Sequence, residues 1–350
     1  MSALDSQVER GDAAVPNVPV PRDRNVALDF TKGVLVLLMI LYHWINYFVS
    51  LDGGFYKYIR FITPSFIFIT GFLIANVYLT RYRIGDPRLH YRLAERGVKL
   101  LALFTILNVV VGALLDRGAG NGMAGVTAFF QNAESVFLTG NGKAAAFSIL
   151  VPISYVLVCS SFLLVPCRWF KPFLTVFCVL LFAVIFILDR YQYGFGHLEL
   201  FAVGMLGMVL GGHPVERIDQ VAGRLPWLLA AYGAYLAMLV VWNEILPIQI
   251  VGVCVNLLLF YAVGLRLSGR GWAARGVILL GKYTLLSYIV QIAVLVILSK
   301  LLRRLPLVEV GRWTVSCVGA FGLTFLIIQA TDLGRRRWPW ADRVYRMVFA

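Results

Sequence analysis

Ten apolar runs, each near the length that a helix needs to cross a bilayer, dominate this 350-residue sequence. A helical span needs roughly 20 apolar residues because each residue of a helix rises only about 1.5 Å. We therefore predict an all-α integral membrane protein, a bundle of about ten transmembrane helices. The runs lie near residues 33–50, 58–80, 97–115, 145–166, 171–189, 197–212, 225–243, 245–265, 277–299 and 313–331.

Composition excludes the soluble classes of protein. Hydrophobic residues make up 60% of the chain and charged residues only 14%, against about 25% charged in an ordinary soluble domain. A soluble protein of this length has to keep a polar surface, which this composition cannot supply. The five cysteines form no CxxC pair, so we expect no metal site and no disulfide framework.

The charges in the loops predict the orientation. With the N-terminus inside, 23 of the 32 Lys and Arg residues fall in cytoplasmic segments, which predicts cytoplasmic N- and C-termini. The net charge of +14 is thus a sign of topology, and we predict no nucleic-acid partner. Lys300, Arg303, Arg304 and Arg312 disagree: either the span count changes by one there, or this outer loop has a role involving an anion. The predicted organisation is a disordered cytoplasmic tail over 1–25, a transmembrane domain over 26–332 and a basic cytoplasmic tail over 333–350.

The first apolar run carries charged and polar groups at helical spacing. One helix from Asp29 to His43 places both side chains on one face, about 21 Å apart, because fourteen residues make nearly four turns. Lys32 is three residues from Asp29 and can pair with it. His43 then lies well inside the membrane, with Asn46 and Tyr47 one turn further on the same side. Ionisable residues inside spans usually face the bundle interior and mark a site.

His43 has two interpretations. A neutral imidazole at that depth can accept a proton from a hydroxyl group, which is general-base chemistry. The alternative is a structural histidine that bonds a neighbouring helix. The residues of this run leave both interpretations open.

The second predicted cytoplasmic loop holds six cations against two acids, Asp86 and Glu95. Its last cations are Arg92, Arg96 and Lys99, of which the last two share one helix face at the membrane boundary. Arg binds phosphate as a fork and Lys as a point charge. The loop is therefore a candidate site for a cytosolic, nucleotide-bearing donor, unless its charge reflects topology alone.

Two further groups of polar residues lie in or beside spans. Thr284, Tyr288 and Gln291 are four and then three residues apart, so they share one helix face. They either bond across helices or contact a substrate. His197 and Glu199 open the sixth run at the outer interface, where they contact a glycan or are simply solvated.

The first run resembles the opening of the membrane acyltransferase family called acyltransferase 3. That superfamily also includes periplasmic-glucan succinyltransferases and, more distantly, lysosomal heparan glucosaminide acetyltransferases. The resemblance extends from about residue 22 to 331. In this run it rests on Arg24, the pair Leu28-Asp29, the basic–glycine pair Lys32-Gly33, and His43 fourteen residues after the aspartate.

Three later segments are similar to motifs of the same family: IFITGF at 67–72, RGVK at 96–99 and LGKYTLLSY at 280–288. The chain also departs from the family pattern. Lysine replaces the usual arginine at Lys32 and Lys99, threonine replaces serine at Thr70, and Gln291 stands where the family often has histidine. The departures at Lys99 and Gln291 bear on the choice of donor rather than on the class of reaction.

The resemblance implies acyl transfer from a cytosolic donor, usually acyl-CoA, to an acceptor that is often a sugar on the far side of the membrane. Its transmembrane acyltransferase domain would occupy residues 26–332. The implied catalytic residues are His43, as general base, and Asp29. The implied donor-binding residues are Arg24, Lys32, Arg92, Arg96 and Lys99, and the implied acceptor or tunnel residues are Asn46, Tyr47, Tyr288, Gln291, His197 and Glu199.

The predicted partners follow from this reaction. Acyl-CoA is a donor substrate rather than a permanently bound cofactor, the acceptor is a glycan or lipid-linked sugar, and the bilayer surrounds the protein. A homo-oligomer is left open. The predicted location is the plasma membrane, which in a bacterium is the inner membrane, with glycan modification as the outcome.

Two other functions compete with the enzyme. A transporter or flippase would use His43 as a proton relay and needs two alternating vestibules around a midplane site. A non-catalytic membrane protein would pack His43 dry against apolar neighbours. The enzyme instead needs a tunnel from Arg96 and Lys99 to His43.

Overall fold

A computed structural model describes residues 25–49, 53–114, 123–140, 145–242, 245–267, 271–306 and 308–349. Among these residues the regular secondary structure is entirely helical, so the all-α prediction is confirmed. The helices are α1 (Val26–Trp44), α2 (Gly53–Tyr56), α3 (Ile62–Leu73), α4 (Leu79–Arg81), α5 (Pro87–Leu114), α6 (Met123–Gln131), α7 (Leu150–Leu163), α8 (Phe173–Arg190), α9 (Gly196–Gly211), α10 (Val215–Gly223), α11 (Leu225–Trp242), α12 (Leu246–Leu267), α13 (Trp272–Lys282), α14 (Thr284–Leu302), α15 (Glu309–Arg337) and α16 (Pro339–Phe349).

Each of the ten predicted apolar runs contains a helix, but two of these helices differ from simple spans. In the described residues, eight segments are long and apolar enough to cross a membrane, or nine if the bent pair α9–α10 is one span. The eight segments are Val26–Val49, Ile62–Arg81, Pro87–Ala113, Phe173–Arg190, Leu225–Trp242, Leu246–Leu267, Thr284–Leu302 and Glu309–Arg337. The chain is therefore a multi-pass membrane protein, and the count of ten stays a prediction.

Local features explain why the helices of the fourth and sixth runs are not simple membrane spans. Helix α7 has only 14 residues, about 21 Å against a hydrocarbon core of about 30 Å. Helix α9 turns by 97° into α10, where Pro214 precedes the first residue of α10. Proline cannot continue the hydrogen-bond ladder of the helix before it, and α10 is too polar to remain in the hydrocarbon region.

Helix α1 lies at the centre of the bundle. It contacts α3, α12, α13, α14 and α15, and its middle turns are almost fully buried, with Leu35, Val36 and Ile40 at most 1% exposed. After Trp44 the helix continues as a π-helical turn over Ile45–Val49. A second π-helical turn, Ile74–Tyr78, extends α3. Such turns often occur at functional sites, and the second one contributes Ile74, Val77 and Tyr78 to the lining of a cavity described below.

Helices α3 and α9 approach each other closely. A Cβ atom added at Gly207 would lie 2.1 Å from the carbonyl oxygen of Phe68, which is far inside van der Waals contact. Small residues at such contacts let helix backbones pack together in membranes. This contact explains why the sixth run is rich in glycine.

Both ends of the described chain lie at the same end of the bundle. Lys32, near the start of α1, and Tyr345, in α16, line one cavity. The loop that carries Lys300, Arg303 and Arg304 lies at the opposite end, where Trp313 donates a hydrogen bond to the carbonyl oxygen of Phe48 at 3.0 Å. The predicted cytoplasmic tail over 333–350 is mostly helical, because α15 continues to Arg337 and α16 follows it.

Candidate active site

A basic vestibule opens at the end of the bundle where α1 begins. This surface cavity of about 460 Å³ lies between the end of the α3 span and the first turns of α5. Four cations and one acid line it, so the vestibule carries a net charge of +3 and is suited to an anionic ligand. Its lining residues are Val77, Tyr78, Arg81, Tyr82, Arg92, Glu95, Arg96 and Lys99.

The cations of the basic vestibule are held in different ways. Arg96 donates a hydrogen bond to the Tyr78 hydroxyl at 2.9 Å, and Arg92 donates to the Tyr82 hydroxyl and lies over its ring. Neither partner is an acid, so no carboxylate in these contacts offsets the charge of either guanidinium group. Lys99 is different, because its Nζ lies 2.7 Å from Oε1 of Glu95. The predicted donor residues Arg92, Arg96 and Lys99 therefore lie together, with the lysine partly neutralised.

An inner cavity of about 300 Å³ adjoins the basic vestibule and shares Val77, Tyr78 and Arg96 with it. Most of its wall is apolar and comes from α3, α5, α7 and α14. It extends from the basic end of the bundle to Tyr288. Its polar lining residues are Lys32, Thr70, Tyr78, Arg96, Lys282, Thr284, Tyr288 and Tyr345.

His43 lies next to the residue where the inner cavity ends. The ring centroids of His43 and Tyr288 are 6.4 Å apart, and Tyr42 packs edge-on against His43 at 5.2 Å. The imidazole is half-buried. The indole Nε1 of Trp44 donates a hydrogen bond to Ser316 Oγ at 2.9 Å, which ties this end of α1 to α15.

An outer cavity of about 520 Å³ lies on the other side of Tyr42. It is bordered by the last turns of α1 and by the starts of α3, α9 and α12, so it lies at the end opposite the basic vestibule. Its polar side chains offer hydrogen-bond donors and acceptors of several kinds. They are Tyr42, Arg60, Thr63, Glu199 and Gln249.

Asp29 and Lys32 form the predicted ion pair, with Lys32 Nζ 2.6 Å from Asp29 Oδ1. They lie at the basic end of α1, about 21 Å along the helix from His43, so the structure does not bring Asp29 to the imidazole. The pair is packed against α13, since a Cβ atom at Gly281 would lie 1.8 Å from the carbonyl oxygen of Asp29. Arg24, the remaining predicted donor residue, lies outside the described residues.

The predicted acceptor and tunnel residues are dispersed. Tyr288 lines the inner cavity and Glu199 the outer cavity. Asn46 and Tyr47 are exposed on the π-helical turn after α1 and are not among the lining residues of either cavity. Gln291 is 1% exposed, and neither of its amide atoms has a hydrogen-bond partner among the described residues.

The structure excludes the alternative in which His197 is solvated. It is buried, and its Nε2 lies 2.8 Å from the carbonyl oxygen of Val136. The ring also packs edge-on against Tyr155. The expectation of solvation was wrong because the segment before α7 folds over the start of α9, which a hydropathy pattern cannot show.

Several residues of these cavities were missed by reasoning from sequence. Neither Tyr42, next to His43, nor Tyr78, near the end of the second apolar run, stands out in the sequence as a site residue. Arg60 and Gln249 lie at starts of spans far apart in the chain, and no local pattern joins them. Lys282 belongs to the LGKYTLLSY segment but is not among the predicted donor residues, although it lines the inner cavity.

The fold and its cavities define a multi-pass membrane protein with a basic, ligand-sized opening at one end and a polar cavity at the other. His43 lies beside Tyr288 of the inner cavity and Tyr42 of the outer cavity. The family model described as an acyltransferase domain, acyltransferase 3, matches residues 25–329. The chain belongs to this family, and it is a membrane acyltransferase. No curated protein and no solved structure matches the sequence.

Proposed function

We propose that this acyltransferase moves an acyl group from cytosolic acyl-CoA to a hydroxyl group of a glycan or lipid-linked sugar, with His43 as general base. The observation that carries the proposal is the position of His43 between two aromatic rings. Tyr288 lines the inner cavity, and Tyr42 lines the outer cavity. A donor entering from one end and an acceptor entering from the other would meet beside this imidazole.

The donor half of the proposal rests on charge and shape. Arg92, Arg96 and Lys99 suit the phosphate groups of a nucleotide-bearing donor, since arginine forks match phosphate oxygens. The narrow, mostly apolar inner cavity suits the uncharged arm that carries the thioester. Acyl-CoA is too highly charged to cross lipid, so its thioester has to reach His43 through the bundle.

The acceptor half rests on the outer cavity. Arg60 and Gln249 supply hydrogen-bond donors, and Glu199 supplies acceptors. A sugar presents several hydroxyl groups that need both kinds of partner. Because this cavity lies opposite the basic vestibule, the acceptor would be modified on the non-cytoplasmic side of the plasma membrane, which is the inner membrane in a bacterium.

The proposed reaction is a direct transfer. His43 accepts the proton of the acceptor hydroxyl while the oxygen attacks the thioester carbonyl carbon. The carbon–sulfur bond then breaks, and the coenzyme A thiolate leaves and takes up a proton. The products are an O-acyl ester and free coenzyme A.

Replacing His43 with alanine tests the base. We expect His43→Ala to lower acyl transfer about 10²- to 10⁴-fold, the usual contribution of a general base. Transfer is measured by mass spectrometry of surface glycans and by release of the coenzyme A thiol. His213→Ala is the matched control, since His213 is exposed and lines neither the inner nor the outer cavity.

The variant must remain folded for the test to count, which size-exclusion profiles and melting temperature in detergent establish. A folded His43→Ala protein with wild-type transfer overturns the base assignment. Transfer that continues without acyl-CoA overturns the donor assignment instead.

A further inference from the structure

The C-terminal helix α16 has one face turned towards the inner cavity. In the stretch 339–349, the residues that are partly buried are Ala341, Asp342, Tyr345 and Phe349, and all the others are exposed. These positions form one stripe at helical spacing. Tyr345 and Phe349, one turn apart, both line the inner cavity.

An arginine clamp holds α16 in this position. The Nε atom of Arg335, at the end of α15, donates to Oδ1 of Asp342 at 2.9 Å. The same guanidinium group lies 3.8 Å above the ring of Tyr345 and 5.3 Å from that of Tyr283. Arg346 pairs with the other carboxylate oxygen of Asp342 at 2.6 Å. Cation–π contacts and a shared carboxylate thus fix Tyr345 against the α13–α14 junction.

The clamp is itself anchored in the cavity wall. The Tyr283 hydroxyl donates to Asp332 at 2.6 Å, and Lys282 Nζ lies 2.8 Å from the same oxygen. Lys282 also lines the inner cavity. The wall of the inner cavity next to α16 is therefore held by one connected network of hydrogen bonds and ion pairs, which runs from α13 through α15 to α16.

The clamp is formed at neutral pH. The hydrogen bond from Arg335 holds the pKa of Asp342 below its ordinary value of 3.8, with Arg346 acting in the same direction. The Asp342 carboxylate is ionised above its lowered pKa, so its ion pairs with Arg335 and Arg346 are lost only as the pH falls through that lowered pKa.

The opposite face of α16 carries large exposed apolar residues beside Arg343. Trp340 is 64% and Met347 69% exposed, and both lie on the face turned away from the cavity. An amphipathic helix with large apolar residues on its free face lies in the membrane interface. That face of α16 therefore suits the lipid surface, while Tyr345 and Phe349 line the inner cavity.

We propose that α16 completes the donor site, with Tyr345 and Phe349 contacting the uncharged arm of acyl-CoA between its phosphates and its thioester. Asp342 acts as a positioning residue that keeps the two rings in place. The inference rests on the proposed function, because it assigns residues to the same donor cavity. If α16 did not contact the donor, displacing Tyr345 and Phe349 from the inner cavity would leave KM for acyl-CoA unchanged.

Kinetics with the full-length protein in lipid nanodiscs test this role. Tyr345→Ala should raise KM for acyl-CoA about tenfold, equivalent to 1.4 kcal/mol, with kcat changed by less than about twofold. Asp342→Asn should raise KM by a smaller factor, and Asp342→Glu should restore it. Met347→Ala, on the exposed face of the same helix, is the matched control and should leave both constants unchanged.

A labelling experiment covers the case in which Tyr345→Ala fails to fold. Phe349 also lines the inner cavity, so acyl-CoA should slow the reaction of Phe349→Cys with a maleimide. Met347→Cys, on the exposed face, should react at the same rate with and without acyl-CoA. Suppose that the wild-type enzyme uses acyl-CoA. The role of α16 is then overturned if Tyr345→Ala has the wild-type KM for acyl-CoA, or if acyl-CoA does not slow the labelling of Phe349→Cys. A wild-type enzyme that does not use acyl-CoA overturns the proposed function, and this inference falls with it.

Discussion

Removing an acid from the basic vestibule should strengthen donor binding. Glu95 is the one carboxylate among its lining residues, and its Oε1 lies 2.7 Å from Lys99 Nζ. Both side chains are substantially exposed, at 39% and 46%, so their pair contributes little to stability, about 0–1 kcal/mol. Glu95→Gln therefore costs little stability, removes a repulsive charge and frees Lys99 for the donor.

The magnitude follows from Coulomb's law. A unit charge about 7 Å from a phosphate in water-like surroundings contributes about 0.6 kcal/mol. With one or two phosphates at that distance, Glu95→Gln should lower KM for acyl-CoA about three- to eightfold. Arg96→Ala should do the opposite. A hydrogen bond between charged groups contributes about 1.5–3 kcal/mol, and the exposure of Arg96 favours the low end, so KM should rise about tenfold.

The assay is the initial rate of coenzyme A release at saturating acceptor, measured at low and high salt. The effect of Glu95→Gln should shrink at high salt because mobile ions screen exposed charges. Glu216→Gln is the control, since Glu216 is exposed and lies outside the lining of the vestibule. Unchanged KM in both Glu95→Gln and Arg96→Ala, with salt having no effect, would refute the vestibule as the phosphate site.

Two further predictions concern packing and the acceptor. Gly207→Ala should destabilise the protein by about 1–3 kcal/mol or more, because overpacking forces α3 and α9 apart. Gly233→Ala is the control and should be neutral or slightly stabilising, since an added Cβ atom there meets nothing within 4 Å. Melting temperatures in detergent compare the two variants. Glu199→Gln should raise KM for the acceptor without changing KM for acyl-CoA, and the reverse pattern in two-substrate kinetics would place Glu199 on the donor side.

The parts of the site that are local in sequence could be predicted. Helix α1, its Asp29–Lys32 pair and the position of His43 nearly four turns after Asp29 follow from helical spacing within one apolar run. The gathering of Arg92 and Arg96 at a span boundary follows in the same way. Each of these features depends on residues within a few turns of one another, and there hydropathy and spacing are sufficient.

The parts that depend on packing between distant helices could not be predicted. The outer cavity joins Arg60 to Glu199 and Gln249, which lie at the starts of three separate spans. Helix α16 is too polar to span a bilayer, so the sequence suggested only a basic tail. Its placement against the inner cavity depends on Arg335 meeting Asp342 and Tyr345, a contact between two helices separated by a sharp turn at Trp338.

We propose that the acyl group passes from one side of the membrane to the other beside His43. Sided transfer in sealed vesicles of known orientation tests it most directly, with labelled acyl-CoA added on one side only and the glycan acceptor on the other. We predict O-acylated acceptor only when acyl-CoA faces the basic vestibule, and at least about 100-fold less of it with His43→Ala. Equal transfer with acyl-CoA on the opposite side, or full transfer by a folded His43→Ala protein, would contradict the account.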